Sequence, residues 1–72
     1  MKWFSGVFLQ SFKDGETRIS EKQFDIFCKY LHTVYEMGYT EYHEGIINNK
    51  RVRAYVWDCI TGPRYYVIIE NN

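Results

Sequence analysis

The sequence predicts an α+β domain with two helices packed on one face of a three-stranded antiparallel meander, in the order α-α-β-β-β. Three observations carry this expectation. Residues 20–38, SEKQFDIFCKYLHTVYEMG, combine helical spacing of apolar residues with a cap at each end. After Gly38 the pattern changes to period two. Two turn signals, Asn48-Asn49-Lys50 and Thr61-Gly62-Pro63, then divide the remaining chain into three strands. A length of 72 residues accommodates one domain, residues 1–72, near the lower limit for folding without staples.

The first element is residues 2–13, KWFSGVFLQSFK, with Trp3, Phe4, Val7, Phe8 and Phe12 at helical spacing. Strict alternation fails at WF and VFL, which favours a helix. Gly6 weighs against one, by about 1 kcal/mol relative to Ala. The rival reading is a strand with Phe4, Phe8 and Phe12 on one face. Asp14-Gly15 ends this segment, and residues 16–19 lead into the second helix.

That helix is expected over residues 20–38. Phe24, Phe27, Cys28, Leu31, Val34 and Tyr35 form its apolar stripe, widened by Ile26, Tyr30 and Met37. Ser20 is a good N-cap, Gln23 completes a capping box, and Glu21 lies where the macrodipole favours an anion. Gly38 can close the helix in the left-handed conformation.

Strands are expected over 39–47, 51–59 and 64–70. A two-residue Thr61-Gly62 turn would pair Val56 with Val67 and Ala54 with Ile69 on the face beneath the helices. The other face would then pair Trp57 with Tyr66, Tyr55 with Ile68 and Arg53 with Glu70. In the first hairpin, Tyr42 and Ile46 are placed inward to match Val52 and Val56. Pro63 suits a turn or strand start and not a mid-sheet position.

The face turned from the helices would carry Arg51, Arg53, Tyr55, Trp57, Arg64, Tyr66 and Ile68, with Lys50 at its rim. Segment 50–66 holds four cations against the single carboxylate of Asp58, in a chain whose formal charge is zero. Rings interleaved with arginines suit single-stranded nucleic acid, since rings stack on bases and guanidiniums meet phosphate. The same residue types anchor protein interfaces. Cross-strand pairing alone also accounts for Tyr and Arg on an exposed sheet. Zero net charge favours the protein reading, because dedicated nucleic-acid binders are usually basic overall. The expected function is therefore a non-catalytic module that occludes or bridges a protein partner, a second copy of the chain (a homodimer) included. Binding of single-stranded nucleic acid through the same face is the alternative.

Other chemistry is weaker. Cys28 and His32 stand at i, i+4, and His43 and Cys59 add zinc-ligand types, but the spacing matches no finger and Cys28 lies in the apolar stripe. A Cys59/His43/Asp58 nucleophile set lacks any mark of an oxyanion hole. No catalytic residue, metal or cofactor is expected. Glu36, Glu41 and Glu44 form an acidic cluster, read as a solvated edge or as partners for Arg51 and Arg53. Two cysteines are too few for a disulfide framework, no signal peptide precedes the first aromatic pair, and no apolar run approaches membrane-spanning length. These features predict a cytoplasmic protein with reduced thiols and no membrane contact.

The opening aromatic segment followed by KDGETRISEKQF resembles small accessory proteins encoded by phages and other mobile elements. In those proteins a short helix, a Gly-containing turn and an SEKQ-type helix start recur. The resemblance covers about the first thirty residues. It implies a non-catalytic protein that binds a host or phage component, as an inhibitor of a defence nuclease would, and it brings no active-site residues with it.

Overall fold

The computed structural model describes residues 12–71. Its elements are β1 (Gly15–Ile19), α1 (Glu21–Cys28), β2 (His32–Thr33), β3 (Glu41–Ile47), β4 (Lys50–Cys59) and β5 (Gly62–Asn71). All five strands join one antiparallel sheet in the order β1-β5-β4-β3-β2. The expected α+β architecture of two helices on a three-stranded meander is thus corrected to a five-stranded sheet with one short helix among the described residues. The helix predicted over residues 2–13 lies almost wholly outside the described residues.

The helix start is the one read from the sequence. Gln23 N–H donates to Ser20 Oγ at 3.2 Å, and Ser20 N–H donates to Gln23 Oε1 at 3.0 Å, closing the capping box. The helix end is not. Helical structure stops at Cys28, ten residues short of Gly38, and the chain unwinds through tight turns. Tyr30 N–H donates to Phe27 O at 2.9 Å and Leu31 N–H to Cys28 O at 3.4 Å, both i to i−3 bonds. His32 and Thr33 then pair with Glu44 and His43 of β3, and Val34 N–H donates to Tyr42 O at 2.8 Å. The β-branched Thr33 and Val34 suit this edge pairing, which supplies backbone partners to β3 that a longer helix would leave open.

Residues 16–19, expected as a linker, belong to β1 and pair with β5 from Glu16↔Ile68 to Ile19↔Tyr65. In the first hairpin the expected parity is reversed. Tyr42 pairs with Tyr55 and Ile46 with Arg51 on the face away from α1, while His43, Gly45 and Ile47 face the helix side. Gly45 explains the reversal. A Cβ there would stand 3.1 Å from Leu31 Cδ2 and 3.4 Å from Tyr30 O, so the chain leaving α1 passes directly over this glycine. Asn48 and Asn49, at φ 51° and 66°, form the two-residue turn that Asn tolerates and that matches strand twist.

The second hairpin keeps its predicted faces with a register shifted by two. Ile60 and Thr61 make the turn, so Ala54 pairs with Val67, Val56 with Tyr65, Tyr55 with Tyr66 and Trp57 with Arg64. A shift of two preserves parity, so every side chain stays on its expected face. The core lies between α1 and the sheet. Phe27, Val52, Val67 and Ile69 are fully buried, with Phe24, Ile19, Ile47, Ala54 and Val56 around them. Phe12 packs edge-on against Phe27 at 5.4 Å.

Candidate functional site

The sheet face opposite α1, called here the open face, receives all six residues singled out from the sequence. Arg51, Arg53, Tyr55 and Trp57 alternate along β4, and Arg64 and Tyr66 stand across from them on β5. Arg18 of β1 pairs with Tyr66, and Tyr42, Glu44 and Ile46 extend the face onto β3. Among the described residues no helix lies on it, since α1 packs against β4 and β5 from the other side.

The rings form a row across three strands. Tyr42 and Tyr55 stack at 5.8 Å with 10° between planes, and Tyr55 and Tyr66 stack at 5.2 Å. Tyr39, from the loop before β3, stands edge-on to Tyr42, Tyr55 and Trp57 at 5.1, 4.8 and 5.4 Å. Thr40 ties that loop to β4 by donating to Asp58 Oδ2 at 2.7 Å. The result separates two neighbours in the sequence pattern. Tyr55 is 8% exposed, enclosed by the other rings, whereas Trp57 is 46% exposed. Burial, followed by the hydrogen bond and charge of the Glu16 carboxylate, raises the Tyr55 phenol well above its ordinary value. Tyr55 is therefore a support for the face, and Trp57 is its accessible ring.

The arginines differ in the same way. Arg51 pairs with Glu44 at 3.4 Å, one of the two readings of the acidic cluster, and Arg53 pairs with Glu70 from a diagonal position. The Nε of Arg53 is buried with no hydrogen-bond partner. Arg64 lies directly across from Trp57. Lys50, expected at the rim, pairs with Asp14 at 3.0 Å, and Asn71 donates to the same carboxylate at 3.2 Å. Sequence reasoning missed Tyr39 and Tyr42. The signal was there in the density of tyrosines at 39 and 42, but reversing the parity of the first hairpin sent Tyr42 to the wrong side.

The residues weighed for metal or nucleophilic chemistry are dispersed. Among the described residues no group of three His, Cys, Asp or Glu side chains is arranged to hold a metal ion. Cys28 and Cys59 are free thiols. Burial first, then the charges of Glu41 and Asp25, push the Cys28 thiol up to about 12, the opposite of what a thiolate metal ligand needs. His43 is held between neighbours: Nε2 lies 3.1 Å from Glu41 Oε1, Nδ1 lies 3.4 Å from Thr33 Oγ1, and the ring meets Phe24 edge-on at 5.7 Å. No helix among the described residues is long and apolar enough to cross a membrane.

Comparison of the chain with protein-family models, with curated proteins and with solved structures finds no match in any of the three.

Proposed function

We propose that this chain is a non-catalytic binding module that captures a protein partner on its open face, with Trp57 as the anchor. The observation that carries the reading is the setting of that indole: 46% exposed, yet braced edge-on by Tyr39 beside a row of stacked rings. A ring already held in one orientation loses little freedom when a partner covers it, which is how aromatic residues become interface hot spots. Arg64 across the strand offers the adjacent charged contact.

Binding a protein fits the charges better than binding nucleic acid does. Arg51 and Arg53 already have carboxylate partners, so phosphates would have to displace Glu44 and Glu70. The resemblance of the N-terminal part to accessory proteins of mobile elements supports a host or phage component as the partner, a defence nuclease held inactive by occlusion being the type case. Two unpaired cysteines support a cytoplasmic site of action.

Affinity capture from the native host, run with the wild type and with Trp57→Ala, tests the reading. A partner retained by the wild type and reduced about tenfold or more on the variant, with unchanged thermal unfolding, is the expected result. Equal retention would overturn it. A labelled oligonucleotide titrated at low and high salt gives the competing outcome: tight binding that fades with salt would transfer the face to single-stranded nucleic acid. Sedimentation at high concentration identifies the remaining occupant, a second copy of the chain.

A further inference from the structure

The loop between β2 and β3 encloses a second feature, separate from the indole anchor. A cleft of about 420 Å³ opens between this loop and the β3 edge, with Tyr35, Tyr39 and Tyr42 among its walls. The loop is shaped by a turn in which Tyr39 N–H donates to Glu36 O at 3.3 Å and Gly38 takes φ 94°, a backbone conformation open to glycine. Val34 N–H on Tyr42 O fixes the other limb. Tyr42 stacks on Tyr55 and also lines the cleft.

The charges in the walls have one sign. Glu36 and Glu41 line the cleft, and no lysine or arginine does. His43, the one basic ring present, is already engaged with Glu41 at 3.1 Å. Glu36 has no ion-pair partner among the described residues. Tyrosine faces around a concave, carboxylate-lined space attract an organic cation, because the ring quadrupole and the carboxylate both favour positive charge there.

From this geometry we infer that the Tyr35/Tyr39/Tyr42 cleft receives a lysine ammonium of the bound protein, with Glu36 as its counter-ion. The inference rests on the protein-binding reading of the open face, to which Tyr39 joins the cleft by its contact with Trp57. It adds a requirement on the partner: a lysine placed beside the surface that covers Trp57.

The probe is a blocked tripeptide with a central lysine, compared with the same peptide acetylated on Nζ, followed by backbone amide shifts of the full chain. The lysine peptide is expected to bind weakly and to shift the amides of Val34, Tyr39 and Thr40. The acetylated peptide should bind on the order of five- to tenfold more weakly. Tyr35→Ala and Glu36→Gln should each weaken the lysine peptide; both side chains are exposed, so the fold is retained. Ile60→Ala, in the exposed β4–β5 turn outside both the cleft and the anchor, should leave peptide binding unchanged. Equal binding of the two peptides, no shifts with either, or indifference to both cleft substitutions would overturn the inference.

Discussion

Tyr55 and Trp57 occupy alternate positions of one strand and point the same way, yet they end in opposite environments. Tyr39 contacts both, and the difference comes from the neighbouring strands: Tyr42 and Tyr66 close in on Tyr55 from either side. Enclosure has a thermodynamic consequence. The Tyr55 phenol is raised by burial and by Glu16, and the Cys28 thiol by burial and by Glu41 and Asp25. Both groups keep their protons in the folded chain after the unfolded chain has lost them. Their contribution is thus fully present below the ordinary thiol value of 9.0 and is lost as pH climbs toward about 12. The urea midpoint should stay level from neutrality to about pH 9 and then fall. Replacing both residues, by Tyr55→Phe and Cys28→Ala, should flatten that fall. An equally steep decline in the double variant would refute the assignment.

Among the elements, β3 and α1 constrain one another at Gly45. The helix exit crosses the sheet there, and the nearest atoms belong to Leu31 and to the Tyr30 backbone. Gly45→Val should cost about 2 kcal/mol in urea unfolding, since the backbone carbonyl cannot yield. Gly45→Ala should cost less, because the first atom met is the mobile end of Leu31. A neutral Val would show that the crossing is looser than described. The same crossing shows why the sequence pattern ran out. Phe24 and Phe27 are buried, and the stripe they begin continues in sequence through Leu31, Val34 and Tyr35. Only the need of β3 for an edge partner diverts that continuation into β2, leaving Tyr35 84% exposed. The β-branched pair Thr33-Val34 is too short a local signal to outweigh that stripe. β1 was hidden for a related reason: GETRI is too short and too polar to announce itself, and it is a strand because β5 needs a second neighbour. Local chemistry was legible where it acts locally, as in the Ser20–Gln23 box and the Asn48-Asn49 turn.

At the scale of the whole molecule, parity did more than register. The second hairpin slid by two positions from its expected alignment, yet Arg51, Arg53, Tyr55, Trp57, Arg64 and Tyr66 still share a face, because alternate residues of a strand point alike. What sequence could not supply was which of the six are occupied internally. Tyr55 is enclosed, Tyr66 stacks on it, and Arg51 and Arg53 are paired, leaving the exposed Trp57 with the half-buried Arg64 across from it. The molecule therefore has a core side under α1 and a ring-lined side with a carboxylate-lined cleft at its margin. The proposed partner should cover Trp57 on binding. This is tested most directly by Trp57 emission and iodide quenching in a Trp3→Phe background, with and without the captured partner. A blue shift and loss of quenching are expected in the complex. Emission and quenching that stay unchanged while the partner is bound would contradict it.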